Sequence, residues 1–502
     1  MKSRVSLLLS GALLAALSGG AAAQERPTIA LADAIRVARE NNPVLRQVLN
    51  NRGPADWGVR SAYAQFLPTL GVSGSLGYTG AGSQNFLATT FEQSSSTVSS
   101  SYSAGFQWSL SGAKLTEPGL RKAQRDAVDA DIDGALVLLE TTITQEYLNI
   151  LEARSNERLA EVQVRRNEEF LRLAQARFDV GQTTLIDVRR AQVAKGQADV
   201  GLLRTQVTAQ VAVLRLYQSM GVVPPEGATD AVLTDSFPVT TPEWTLDSLL
   251  ALAEAQNPVL VSLRERSDAA QWAERAARSQ YLPTLSLNAG WAGFTQEFTN
   301  IDPLINSALT QAQNEANVNT QICDYQNEIN ARLVPPLAPF DCSQVAFTPT
   351  QAAALERQIR ASNNAFPFDF TQQPFSARLT LSIPIFTGLT RTYGVSEARA
   401  QLQDARLTLR TRGLEVRTDV AQRFLEVTTA HQAIGIEEAN QVAAAEQLQL
   451  ATERYRVGSG TFFELLDAQV AAQQAEASYI AAVYIYHRAV AALEFAVGQH
   501  LR

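Results

Sequence analysis

The sequence predicts a mainly helical chain with a small β part, built as two structural repeats. Three observations lead there. The chain duplicates itself over long range, it carries two nearly proline-free tracts of sixty-odd residues, and it holds short segments of alternating polarity.

The duplication is the most informative of the three. Leu31-Ala32-Asp33-Ala34 running to Asn42-Pro43-Val44-Leu45 returns as Leu246-Asp247-Ser248-Leu249 running to Asn257-Pro258-Val259-Leu260. The offset of 215 residues also carries Trp57 onto Trp272 and Leu67-Pro68-Thr69-Leu70 onto Leu282-Pro283-Thr284-Leu285. A second match sets Ala176-Arg177-Phe178-Asp179-Val180-Gly181 against Glu453-Arg454-Tyr455-Arg456-Val457-Gly458. Its register extends through Asp187 onto Glu464 and Gly221 onto Gly498. The offset has grown from 215 to 277, so the second half carries a net insertion of 62 residues. We place the repeats at about 28–222 and 243–499 and the insertion in the polar stretch 296–374, expected as an extended surface loop.

Each half follows one grammar. A short helix ends at Asn-Pro, where proline opens the next helix in its first turn. That helix stops at Leu-Pro, two strand-like stretches follow, and a very long helix, a Val-Gly turn and another long helix complete the half. Gly53-Pro54 interrupts the second helix of the first half alone, and a kink or break is expected there.

The long helices are expected from about 117 to 178 and from 390 to 456. Sixty residues of helix reach about 90 Å at 1.5 Å per residue. Leu136, Leu139, Ile143, Tyr147 and Ile150 recur at spacings of three and four and form a stripe that needs partner helices.

Strands are expected at 72–79, 101–110, 285–292 and 375–385. In 101–110 the residues Tyr102, Ala104, Phe106, Trp108 and Leu110 oppose a face of serine, glycine and glutamine. Such a strand suits a barrel wall between lipid and water, and equally a half-buried sheet in a soluble domain. Four strands cannot close a membrane barrel, and lipid tolerates no open edge, so a membrane role requires several chains to pool their strands.

Residues 1–23 read as an export signal. Lys2 and Arg4 precede the apolar run Val5–Leu17 and the small residues Ala21–Ala23, which places the mature start near Gln24. No later window approaches 18 consecutive apolar residues, so any span must consist of strands. Losing the two cations takes the net charge from −8 to −10, which excludes nucleic acid as a partner. Cys323 and Cys342 are the two cysteines, and in an exported chain a disulfide is the expected state. His431, His487 and His500 stand apart without ligand spacing, and no phosphate loop or catalytic triad can be assembled. No metal site, cofactor or catalytic residue is therefore assigned.

The ordered repeats, their Asn-Pro and Leu-Pro punctuation and the long helix pairs resemble the TolC family of outer-membrane efflux and secretion proteins. The resemblance covers essentially the whole mature chain. It is most specific in ARFDVGQTTLIDVRRAQ, residues 176–192, and ERYRVGSGTFFELLDAQ, residues 453–469. It implies a homotrimer located in the outer membrane, in contact with lipid. Each chain would give four strands to a shared twelve-stranded barrel, and its long antiparallel helices would form a trimeric α-barrel across the periplasm. Residues 219–245 would join a mixed equatorial band. The implied partners are a periplasmic adaptor, or membrane fusion, protein and an inner-membrane efflux pump or ABC transporter. The implied role is a passive exit duct without catalysis.

The resemblance also implies an iris of helix turns at the periplasmic end. Glu464 and Asp467 match the two lining acids, and their spacing of three puts them on one helix face. Six such carboxylates around an axis would favour cations. Tyr455 matches the gate tyrosine and Asp187 the first-repeat acid that ties helix ends together. The usual basic partner is replaced by Gly460, so Arg456, Arg189 or Arg190 must substitute, and Arg190 is preferred. The competing class is a trimeric coiled-coil structural or adhesive surface protein, which would explain the helices but neither the alternating strands nor the duplicated Leu-Pro breaks.

Overall fold

The computed structural model describes residues 28–86, 89–93 and 95–501. The expected export signal 1–23 and the start at Gln24 lie outside the described residues. In chain order the elements are β1 (Thr28–Ile29), α1 (Leu31–Asn41), α2 (Pro43–Leu49), α3 (Arg52–Ala64), β2 (Thr69–Thr79), β3 (Gly82–Phe86), β4 (Thr89–Gln93), β5 (Thr97–Leu110), α4 (Gly112–Asp179) and α5 (Leu185–Met220). There follow β6 (Val232–Leu233), α6 (Leu246–Gln256), α7 (Pro258–Ser279), β7 (Thr284–Phe298), α8 (Asp302–Ala331), α9 (Pro349–Ser362), β8 (Thr371–Gln372), β9 (Ser376–Ser382), α10 (Thr390–Arg456) and α11 (Phe462–Val497). The chain divides into a unit made of residues up to Val59, Gly119–Glu274 and Ser396 onward, and a unit made of Arg60–Pro118 and Arg275–Val395.

The first unit is helical, and its packing repeats as the sequence does. Ala34 and Ala38 of α1 are buried with Ile143 and Ile150 of α4 and with Val213 and Leu216 of α5. At the same two offsets, Leu249 and Ala253 of α6 are buried with Val420 and Val427 of α10 and with Val490 and Leu493 of α11. Each large aliphatic side chain so placed contributes about 1.5–3 kcal/mol, which is what holds helices of this length in register.

The Asn-Pro signature does two jobs in each repeat. Asn42 accepts at Oδ1 from the Val44 and Leu45 amides, capping α2, and its Nδ2 donates to the Ser219 carbonyl at 2.8 Å. Asn257 caps α7 through Val259 and Leu260 and donates to the Ala496 carbonyl at 2.9 Å. The glycines two residues beyond those carbonyls end α5 and α11 with φ of 77° and 86°. A β-carbon on Gly221 would lie 2.7 Å from the Asn41 carbonyl, and one on Gly498 2.9 Å from Pro258. Only glycine supplies both the left-handed backbone and the space.

The segment between the repeats is tied to the helices. β1 pairs in parallel with β6, and the Tyr147 hydroxyl lies 2.9 Å from the Ile29 carbonyl and 2.8 Å from the Asp235 carboxylate. Burial and that carboxylate push the Tyr147 phenol up to about 12. Tyr486 of α11 donates to the Thr240 carbonyl at 2.5 Å.

Around Gly53-Pro54 the chain breaks between α2 and α3, whereas its counterpart α7 runs unbroken for 22 residues. Pro54 sits in the first turn of α3, where its missing N–H costs nothing. One sequence expectation needs refinement. Among the described helices, α11 is long and apolar enough to cross a membrane by length and composition, although it has no long unbroken apolar run. Half of that stretch is buried in the two cores it shares with α10 and with the helix turns.

The second unit holds the sheet. β2 pairs with β5, β5 with β7, and β7 with β8 and β9, every pair antiparallel. The register sorts side chains by polarity without exception in the lower part of the wall. Leu70 and Val72 of β2 align with Phe106 and Ala104 of β5, these with Ala289 and Trp291 of β7, and Leu285 and Leu287 with Leu381 and Leu379 of β9. The opposite face carries Ser73 and Ser75, hydrogen-bonded to Ser103 and Ser101 at 2.7 Å. On the apolar face Leu70 is 85% and Leu379 65% exposed, so the lower part of this face is uncovered by the chain itself. β2 and β9 have no strand partner on their outer sides among the described residues.

The strands begin and end close to their expected places, with β7 extending to Phe298. β9 stops at Ser382, ahead of Pro384, which cannot donate to a ladder. The hairpin β3–β4 was not expected. The insertion is not an irregular loop. It contains α8 and α9, and Cys323 is bonded to Cys342 with Cα atoms 5.7 Å apart. Its high asparagine and glutamine content masked a helical spacing, since Val318, Ile322, Tyr325 and Ile329 of α8 recur at three and four.

Candidate functional site

The duplicated motif builds two equivalent helix turns in the first unit. α4 ends at Asp179 and α5 starts at Leu185. Gly181 has φ 75°, and the Gln182 amide donates to the Arg177 carbonyl. α10 ends at Arg456, Gly458 has φ 85°, and the Ser459 amide donates to the Arg454 carbonyl. Each new helix opens with a threonine cap and an acid three residues on. Thr184 pairs with Asp187, and Thr461 with Glu464, in reciprocal capping boxes. The equivalence of Asp187 and Glu464 therefore has a local structural cause.

A small core unites both turns. Phe170 and Ala174 of α4, Val188 of α5, Tyr455 of α10 and Phe462 and Leu465 of α11 are all buried together. Tyr455 is 2% exposed, with Phe462 set edge-on at 5.6 Å between ring centres.

The five residues singled out from sequence fall into this region but not into one cluster. Asp187 accepts from the Thr183 hydroxyl at 2.6 Å and the Thr184 hydroxyl at 3.1 Å. Burial alone would raise its pKa. The Thr183 and Thr184 hydrogen bonds, with Arg190 nearby, outweigh that and hold the carboxyl below its ordinary value. Arg190 faces Asp187 at 3.7 Å, one turn along the same helix, so this pair does not join the repeats. Arg456 pairs with Glu453 and Arg189 with Gln192, each within its own helix. Glu464 is half exposed and lies 4.0 Å from Arg454, while Asp467 is exposed on the same helix face. Burial raises the Tyr455 phenol above its ordinary pKa.

The residue that does join the repeats at this level is Arg177, which sequence reasoning passed over. Its Nη1 donates to the Tyr455 carbonyl, and its guanidinium stacks over the Tyr455 ring at 4.5 Å. A signal was present, because Arg177 and Arg454 coincide at the 277-residue offset. Their fates differ, however: Arg454 turns to Glu464 instead. Higher up, α4 and α11 are joined by Arg166 with both carboxylate oxygens of Glu476, at 2.8 and 3.2 Å, and by Arg488 with Glu152.

Beside the turns an apolar groove of about 550 Å³ lies between α5 and α11, lined by Leu185, Ile186, Val193, Leu466 and Val470 with Arg189 at its edge. Among the described residues no group of three or more His, Cys, Asp or Glu is placed to hold a metal ion.

Comparison with known proteins agrees with this architecture. The family model described as "Outer membrane efflux protein" matches residues 34–222 and 337–499. The outer membrane protein TolC of Vibrio cholerae is 25% identical over 299 residues, 58% of this chain and 63% of that protein. The outer membrane protein TolC of Escherichia coli is 29% identical over 262 residues, 50% of this chain and 49% of that protein. The chain thus spans less than two thirds of either relative. The outer membrane protein VceC of Vibrio cholerae has a similar fold, with a TM-score of 0.66 at 17% identity over 94% of this chain and 97% of that one. The two matched segments together cover more than half of the chain, and the chain belongs to the outer membrane efflux protein family.

Proposed function

We propose that the chain is the exit duct of a tripartite efflux pump or a type I secretion system, acting as a homotrimer. The carrying observation is the sheet. One face is apolar and uncovered over its lower part, and both outer edges are unpaired among the described residues. In lipid an unpaired edge is forbidden, so a wall of this kind is completed by neighbouring copies. Three chains at four strand positions each make a twelve-stranded barrel, with the polar face of Ser73, Ser75, Ser101 and Ser103 toward water. The paired long helices continue the duct through the periplasm.

The helix turns are the gate in this reading. Glu464 and Asp467 line the narrow end and select cations, and Arg177 on Tyr455 latches the turn of one repeat to that of the other. Opening is an iris-like motion that parts this latch while the helix bodies stay held by Arg166–Glu476 and Arg488–Glu152. A periplasmic adaptor protein and an inner-membrane pump or ABC transporter supply the force. The duct itself is passive and uses no cofactor.

The test is assembly together with conductance. Detergent-extracted protein should have the mass of a trimer and, in planar bilayers, form cation-selective channels. A monomer without affinity for bilayers would overturn the proposal.

A further inference from the structure

The insertion returns to the sheet on a particular side. Asn363, just beyond α9, exchanges two hydrogen bonds with Phe298 at the end of β7, each of 2.8 Å. The Phe366 amide then donates to Glu297 at 3.2 Å, and Ser100 of β5 donates to the Pro367 carbonyl at 2.5 Å. Phe370 meets Tyr102 edge-on at 4.9 Å, and the chain enters β8. Ser100, Tyr102, Gly293, Thr295 and Glu297 all belong to the face that carries Phe106, Trp291 and Leu379. Residues 363–370 therefore cross the apolar side of the wall, not the polar side.

The crossing solves a local problem. The upper end of the apolar face holds polar side chains, Ser100, Thr295 and Glu297, that would be costly against hydrocarbon. Beneath the strap Ser100 is 3% and Thr295 2% exposed; Ser100 gains its bond to Pro367, while the Thr295 hydroxyl is shielded without a partner among the described residues. Gly293 leaves room for the Tyr102 ring, since a β-carbon would sit 2.4 Å from it. Around the strap the aromatic residues gather. Trp291 and Phe375 are in contact at 4.9 Å, and Phe368 points out from the strap, 81% exposed.

The level also fits. Trp108, whose indole donates to the Phe66 carbonyl, lies near the other end of the apolar face, which runs on to Leu110 and Leu285. Ser100 and Trp108 are eight residues apart, about 26 Å along a strand, or about 20 Å of height at barrel tilt. That is close to the apolar band of about 25 Å that barrels present to lipid, flanked at both levels by aromatic side chains.

We propose that residues 363–375 form an outer-leaflet anchor, with Phe368 inserted at the boundary between headgroups and acyl chains of the membrane lipid. The return limb of the insertion thus lies on the lipid side of the barrel rim and not over the pore mouth. The lipid is chosen because the strap continues the same uncovered apolar face. This inference rests on the duct reading for the direction in which that face points.

The experiment uses the full chain, whose only two cysteines are bonded to each other. Phe368→Cys labelled with an environment-sensitive fluorophore is reconstituted into phosphatidylethanolamine–phosphatidylglycerol vesicles, and channel conductance is recorded from the same preparation. The label should emit as in an apolar medium and lose about half its fluorescence to lipids brominated near the headgroup end of the chain. Quenching by aqueous iodide and not by brominated lipid, in conducting vesicles, overturns the anchor while leaving the duct intact. Shielding from both quenchers also overturns it and assigns the strap to a neighbouring copy. If the labelled variant does not insert, Phe368→Trp read against the unsubstituted protein gives the same discrimination. Loss of conductance in the unsubstituted protein counts against the duct reading instead.

Discussion

Arg177 and Tyr455 belong to different repeats, yet the guanidinium of one both donates to the main chain of the other and stacks on its ring at 4.5 Å. A charged hydrogen bond contributes about 1.5–3 kcal/mol, and a partly desolvated cation–π contact about 1–2 kcal/mol. Arg177→Ala should therefore raise the open probability in planar bilayers by at least about tenfold, with Arg177→Lys intermediate because it keeps charge but loses the planar fork. Unchanged gating in the alanine variant would remove this pair from the latch.

Tyr455 separates packing from polarity. Its hydroxyl is buried close to Thr183 and Asp187 of the other repeat and makes no hydrogen bond of ordinary geometry among the described residues. Tyr455→Phe should accordingly be neutral within about 1 kcal/mol, whereas Tyr455→Ala should cost about 3–5 kcal/mol through the cavity it leaves. Chemical denaturation of the two variants gives the comparison directly.

Asp187 makes the turn sensitive to acid. Its folded-state pKa lies below its ordinary value, so the unfolded chain binds the proton first and stability rises with pH. The contribution is complete above the unfolded pKa of about 3.9 and is lost as pH falls through the lower, folded value. Asp187→Asn keeps an acceptor for the two threonine hydroxyls and loses the charge at the helix N-terminus, so it should cost about 0.3–1 kcal/mol at neutral pH and little once the carboxyl is protonated. A stability difference that persists undiminished at pH 2 would contradict this.

The two Asn staples should behave alike. Asn42→Ala and Asn257→Ala each remove a cap and a bond to the final turn of a long helix, for a loss of about 1–3 kcal/mol. Gly498→Ala should cost at least as much, because it adds a left-handed penalty to a clash with Pro258. Differential scanning calorimetry on the purified protein would show whether the repeats respond equally.

Glu464 and Asp467 are tested together. The Glu464→Gln, Asp467→Asn double variant should lose preference for cations and block by multivalent cations, since both acids are exposed on one face of α11. Single-channel reversal potentials that do not move would exclude them from the lining. Glu464→Gln alone also tests its second role, because the amide keeps the cap on Thr461 while surrendering the charge near Arg454.

Much of this architecture is legible in one dimension because it depends on local chemistry and on repetition. The Asn-Pro boundaries, the Val-Gly turns and the alternating strands each follow from what a few adjacent residues can do. The repeated offsets then show that two halves must pack alike, as Ile143 with Val420 and Leu216 with Leu493 do. Composition misled where polar residues are arranged at helical spacing, as in α8, since polarity by itself does not distinguish a loop from an exposed helix. Tertiary structure decided the rest. That Arg177 reaches Tyr455 while its repeat mate Arg454 turns to Glu464, and that the strap crosses the apolar side of the wall, depend on which surfaces meet across hundreds of residues. Such meetings are set by packing geometry, which no short window of sequence contains.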